Sequence, residues 1–228
     1  DVLFSSAVVS LRQYYTILIE EPQYLKLFVN SAMYGGAILL GQTLVIPLTA
    51  YALSRFSFRG RDTLFFLVLM LMLLPFQVTM APSVMSLRAL GLLGTGWAVV
   101  LPMIFSPFYI FLLRQFMIGI PNEIIEAGQM DGAGTLRTFF HVVLPVCRPI
   151  LGAAAALSFA DCWNMVEQPL VYLTDTKLMP LSVMFNQMNE ESTAVAFAGA
   201  ALYLMPMLLI YIYFQDDILL GVQLSELK

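Results

Sequence analysis

The sequence predicts an all-α membrane protein with five transmembrane helices, and three observations carry that prediction. Of its 228 residues, 60% are hydrophobic and only 11% are charged, whereas an ordinary soluble domain carries about 25% charged residues. A water-facing surface needs charges that this chain does not have, and its mean hydropathy is +0.83. Four stretches contain no Asp, Glu, Lys or Arg: Leu27–Ser54, Thr63–Leu87, Ala89–Leu113 and Ser192–Gln215. Each is longer than the roughly 20 apolar residues that cross the hydrocarbon core. A fifth, from Pro149 to Tyr172, is apolar except for Asp161 and Glu167. Backbone in lipid must satisfy its own hydrogen bonds, and the absence of alternating ten-residue strands leaves helices rather than a barrel.

The resulting single domain, 1–228, has a lead-in at 1–26, spans at about 27–54, 63–86, 97–116, 146–168 and 193–214, and a long connection at 117–145. The lead-in is mixed and not apolar enough for a signal peptide. Arg55, Arg59 and Arg61 follow the first span, Arg114, Arg137 and Arg148 border or lie within the third connection, and Lys228 ends the chain. Arg12, Lys26, Arg88 and Lys177 fall on the other side. The excess of basic residues places the first and third connections and the C-terminus in the cytoplasm. The lead-in then starts outside, so a preceding span is expected before residue 1, making six in the intact protein. Pro47, Pro75, Pro102, Pro107 and Pro206 lie within the spans, and each frees a carbonyl and kinks its helix. Cys147 and Cys162, if on one helix, lie about 22 Å apart along its axis, beyond disulfide reach. The net charge of −4, with no basic run, argues against nucleic acid as a partner.

The connection 117–145 is the most informative segment. Pro121 suits the first turn of a helix, Glu123 and Glu126 fall where the macrodipole favours acids, and Ile124, Ile125, Gly128 and Met130 give it an apolar side. Asp131-Gly132-Ala133-Gly134 reads as a turn. Thr135 suits the N-cap of a second helix over 136–143, ended by Leu144-Pro145. Such an amphipathic helix–turn–helix can lie on the lipid surface or dock a soluble partner; the residues alone leave both open.

The stretch Glu126-Ala127-Gly128, three residues, Gly132, nine residues, Val142, one residue, Leu144-Pro145 resembles the EAA motif of binding-protein-dependent ABC importer permeases. Gly128 stands where the motif has a second alanine and Val142 where it has isoleucine. Glycine costs a helix about 1 kcal/mol relative to alanine, so a locally looser helix is expected. Asn30-Ser31, Ala50–Phe56, Phe58–Arg61, Pro75, Gly91-Leu92, Thr95, Arg114–Phe116, Ile120-Pro121, Trp163-Asn164 and Pro180-Leu181 look like the carbohydrate-uptake subgroup, similar to the second permease of maltose- and glycerol-phosphate-type systems.

The resemblance implies a type I ABC importer fold in a bacterial inner membrane. It implies a second homologous permease, a dimer of ATP-binding subunits holding ATP and Mg, an extracytoplasmic solute-binding protein and surrounding lipid. No cofactor is expected in this chain, which lacks the Gly-x-x-x-x-Gly-Lys-Ser/Thr phosphate loop. Glu126, Ala127, Gly128, Asp131, Gly132, Leu144 and Pro145 are the expected ATPase-coupling residues. The family's first span has no counterpart here.

Ionisable groups inside a span usually face a cavity or a partner. Asp161, Asn164 and Gln168 are spaced i, i+3, i+7 and so share a face of one helix, with Glu167 nearby and Trp163 one turn below it. Carboxylates, amides and an aromatic face suit saccharide hydroxyls and C–H surfaces, so these residues, with Gln77 and Thr79 beyond Pro75, are candidates for a substrate path. The displaced acid in Trp163-Asn164-Met165-Val166-Glu167 and the acidic Gln215-Asp216-Asp217 depart from the family's pattern. An intramembrane enzyme lacks parts: there is one histidine, His141, and no metal-ligand cluster or nucleophile–base pair. An ion-coupled carrier would use Asp161 and Glu167 but has no use for the EAA spacing. A permease for amino acids or peptides is the nearer alternative, and Trp163-Asn164 with Ala50–Arg61 favours sugar.

Overall fold

The computed structural model describes residues 12–20, 22–130, 132–187 and 193–226, and among them every regular element is helical. A short α1 (Arg12–Tyr15) runs into a π turn (Thr16–Glu20) and then α2 (Pro22–Arg55). There follow α3 (Arg61–Leu73), α4 (Phe76–Ala89), α5 (Gly96–Ile104), α6 (Pro107–Ile118) and α7 (Asn122–Met130). Next come α8 (Thr135–Thr138), a π turn (Phe139–Val143), α9 (Leu144–Val146), α10 (Arg148–Trp163), α11 (Glu167–Tyr172), a 3-10 turn (Thr176–Leu178), α12 (Leu181–Gln187) and α13 (Thr193–Glu226).

Among the described residues, Gln23–Arg55, Gly96–Ile118 and Phe197–Leu219 are long and apolar enough to cross a membrane. Two further spans exist only as bent pairs, α3 with α4 at 109° and α8–α9 with α10 at 75°, so the all-α membrane fold has five spans when each pair counts as one. The first bend has a local cause. Leu74 precedes Pro75, is forced out of the helical region, and sits at φ −78°, ψ 123°, as steric conflict with a following proline ring requires. Ser106 before Pro107 is extended for the same reason, at φ −103°, ψ 111°, and divides α5 from α6. Pro47, Pro82, Pro102 and Pro206 are carried inside helices.

Helix α2 is the central element; it packs on α5, α6 and α10, and α10 packs in turn on α13. Its Arg55 end lies in a cluster of Ala50, Tyr51, Ile110, Leu113, Met117, Phe139, Val143 and Cys147. Its middle lies among Ile38, Ala98, Val99 and Cys162, and its start among Ile17, Tyr24, Leu27 and Leu181. Cys147 and Cys162 are buried free thiols, and only Cys162 lies on α10. Gln42 and Ser158 are paired in this interior. Pro107 has no N–H for the carbonyl four residues back, Met103, and Gln42 Nε2 donates to that carbonyl at 2.8 Å. Ser158 on α10 donates to Gln42 Oε1. One amide thus closes the defect made by a proline and ties three helices, which lipid itself cannot do.

Candidate functional site

Helix α7 stands on a defined base. Ile125 is buried in the cluster with Met117, Ile120, Phe139 and Val143, while Glu126 and Ala127 are exposed. Ile124, Met130, Leu136 and Phe140 are exposed too, Met130 to 88%. The turn is a Schellman motif: Gly132 N–H donates to the Gln129 carbonyl at 2.9 Å and Ala133 N–H to that of Gly128 at 3.1 Å. Gly132 has φ +81°, a region in which residues with a Cβ are strained. Asp131 lies outside the described residues.

The second helix differs from the sequence reading. Thr135 is its first residue and Gly134 its N-cap, with no side-chain cap bond. Pro145 does not end it. In the π turn the Leu144 N–H bonds to the Phe139 carbonyl, and Pro145 then falls in the first turn of the following segment, where a missing N–H is harmless. The helical path therefore reaches Val146, with Leu144 half-buried and Pro145 exposed. His141, exposed, has its Nδ1 3.1 Å from the Arg137 carbonyl.

The two departures from the motif meet in space. A Cβ on Gly128 would lie 3.3 Å from Val142 Cγ2 and 3.9 Å from Thr138 Cγ2. Both departures are losses of bulk at one contact, so α7 lies close against the π turn. The lower helix propensity of Gly128 is thus set against a close contact with the π turn.

The shared face expected for Asp161, Asn164 and Gln168 does not form, because α10 ends at Trp163 and α11 begins only at Glu167. Asp161 and Asn164 turn to different neighbours. Asp161 Oδ2 accepts from Tyr109 OH on α6 at 2.7 Å. Asn164 caps α10: its Nδ2 donates to the Ala160 carbonyl at 2.8 Å, and its Oδ1 accepts from Tyr203 OH at 3.0 Å. Trp163 is 1% exposed, packed against Phe28, Phe159 and Tyr203. Its Nε1 donates to the Tyr203 carbonyl at 3.0 Å, while Tyr203 OH donates to the Trp163 carbonyl at 2.8 Å. Trp163 is therefore a latch between α10 and α13 and offers no free ring face.

Two other candidates are brought together. Gln77 Nε2, on the α4 side of the first bend, donates to both Glu167 oxygens, at 3.0 and 3.2 Å. Both side chains are exposed. Thr79 is turned to its own helix, donating to the Phe76 carbonyl at 3.0 Å, and Gln168 is half-buried.

Sequence reasoning missed Arg55 and Arg114 as structural groups, using them as charges and as letters of a family resemblance. Arg55 donates to Asn122 Oδ1 at 2.6 Å, to the Ile120 carbonyl at 2.6 Å and to the Met117 carbonyl. Arg114 Nε donates to the Leu53 carbonyl at 3.2 Å, and its guanidinium lies 3.6 Å from the Phe65 ring centroid. For Arg55 the available signal was position, since an arginine in the last turn of a helix can serve its own or a neighbour's carbonyls; Arg114 lies before the last turn of α6. At the far end of α2, Asn30 donates to the Lys177 and Met179 carbonyls and Ser31 accepts from Leu181 N–H, which gives the residues 30–31 and 180–181 a joint structural role.

Comparison with known proteins places this architecture. The alginate-importing bacterial ABC transporter has the same fold, with a TM-score of 0.78 at 24% identity over 90% of this chain and 78% of that one. The arabinooligosaccharides transport system permease protein AraQ of Halalkalibacterium halodurans is 29% identical, across 100% of this chain and 82% of its own length. The diacetylchitobiose uptake system permease protein NgcG of Streptomyces coelicolor is 32% identical over 85% of this chain and 66% of its own. The sn-glycerol-3-phosphate transport system permease protein UgpE of Yersinia pestis is 33% identical over 67% of this chain, a match that spans 54% of its length. The model of the family described as binding-protein-dependent transport system inner membrane component matches residues 44–216, and that stretch holds the helix–turn–helix, both bent pairs and the Trp163 latch. The chain belongs to the family of binding-protein-dependent transport system inner membrane components.

Proposed function

We propose that this permease subunit forms half of the translocation path of an ATP-driven importer for a sugar or oligosaccharide, and that α7 is its docking element. The observation that carries the docking reading is the exposed face of α7. Ile124 and Met130 remain uncovered among the exposed Glu123, Glu126 and Gln129 while Ile125 is sunk in the core, so the helix is anchored on one side and offers both apolar and charged groups on the other. An ATPase cleft that takes a short amphipathic helix suits that face, with Glu126 in a charge-assisted bond to a basic group. ATP and Mg belong to that partner. A second permease, a solute-binding protein and lipid complete the assembly, in a bacterial inner membrane with the C-terminus cytoplasmic. Closure of the ATPase dimer then displaces α7 and biases a two-state rearrangement of the spans.

The substrate class rests on the relatives, whose names refer to arabinooligosaccharides, diacetylchitobiose and glycerol phosphate, all polyhydroxylated. Gln77 and Glu167 are the groups best disposed to meet hydroxyls, since both are exposed and already within hydrogen-bond distance of each other. The test is uptake by the assembled transporter with radiolabelled arabinotriose, diacetylchitobiose and sn-glycerol 3-phosphate as probes. ATP-linked uptake of one of the sugars, lost in Glu126→Lys together with the ATPase subunit on purification, is the expected result. Uptake that needs no ATP, or an unchanged complex in Glu126→Lys, overturns the docking reading. Selection of glycerol phosphate alone overturns the sugar.

A further inference from the structure

Arg55 is the last residue of α2, but its side chain crosses to the link between α6 and α7. Met117 lies in the last turn of α6 and Asn122 opens α7. Nη2 donates to the carbonyls of Met117 and Ile120, and Nη1 to Asn122 Oδ1. One planar cation therefore holds both sides of the link Gly119–Pro121. Within that link, among the described residues, the backbone N–H groups make two bonds, Gly119 N–H to the Phe116 carbonyl and Ile120 N–H to that of Met117, at 3.0 and 3.2 Å. Pro121 supplies no N–H at all. In the opposite direction Arg114 of α6 donates to the Leu53 carbonyl near the end of α2. The two helices thus exchange arginines: Arg55 ends α2, where the carbonyl end of the dipole favours a cation, and Arg114 lies four residues before the end of α6. Arg55 Nε is buried without a partner among the described residues, so the terminal nitrogens carry the contact.

We propose that Arg55 is the positioning residue that makes α7 rigid with the α2–α6 pair. Displacement of α7 by the ATPase then reaches the spans instead of being absorbed by rotation in the Gly119–Pro121 link. This rests on the docking role of α7 proposed above. The geometry needs a guanidinium, because three acceptors on two sides of a link match a planar fork, whereas an ammonium is a point charge.

The measurement is transport per ATP hydrolysed by the complete transporter in proteoliposomes, with radiolabelled arabinotriose, or whichever probe the uptake panel selects. Arg55→Lys keeps charge and size, and it is expected to retain assembly and ATP hydrolysis while transport per ATP falls about tenfold, the consequence of losing roughly one charged hydrogen bond. Asn122→Ala removes one acceptor and leaves the arginine; a fall of about threefold is expected, as for a single weaker bond. Equal transport per ATP in wild type and both variants overturns the proposal. Should Arg55→Lys fail to assemble, Asn122→Ala decides alone: a lower ratio supports the clamp and an unchanged one overturns it. A wild-type transporter without ATP-linked uptake would instead remove the importer reading beneath it.

Discussion

The segments Asn122–Val146 and Asp161–Gln168 each carried candidate residues at regular spacing, and they came out differently. In the first, spacing became geometry. The Schellman turn at Gly132, the contact of Gly128 with Val142 and the burial of Ile125 are settled within one compact unit. In the second, Asp161, Asn164 and Glu167 found partners on α6, α13 and α4, far away in sequence. The lesson is that spacing predicts a shared face only as far as the helix continues. Asn164, which caps α10, is a weaker stop signal than Pro75, which announces the bend after Leu74.

The sharpest way to break this contrast is Trp163→Ala. If Trp163 is a buried latch, its loss costs about 3–5 kcal/mol, read as a large fall in the thermal midpoint of the purified assembly. A stable variant with altered sugar selectivity would return Trp163 to the substrate path. Next comes Gly132→Val, which puts a β-branched residue at φ +81°. Strain of about 1–2 kcal/mol should leave the protein inserted but reduce ATPase retention on purification, and unchanged retention would show that the turn does not shape the dock.

The contact between the two motif departures predicts a smaller effect. Gly128→Ala and Val142→Ala should be non-additive in thermal stability by about 0.5–1 kcal/mol, the coupling of neighbours in contact. Strict additivity would separate α7 from the π turn. Smallest in stability is Glu167→Gln, within about 0.5 kcal/mol for an exposed group. Its expected signature lies in uptake, as a raised KM with assembly intact, and an unchanged KM would remove Glu167 from the path.

Membrane class, helical character and the short helix Asn122–Met130 were legible in the sequence because hydropathy, charge gaps and a local motif act over short distances. The run of apolar residues sets a span irrespective of what it packs against, and Gly132 sets a turn through its own backbone. Other roles were settled by tertiary structure. Gln42 becomes the partner of the Met103 carbonyl only because α2 crosses α5 beside the Pro107 defect. Arg55 becomes a clamp only because α2 ends beside the α6–α7 link, and Trp163 a latch only because α13 returns along α10. Hydropathy is a property of each residue alone, whereas a hydrogen-bond partner in a dry interior depends on which helices meet, and that is decided by packing the whole bundle.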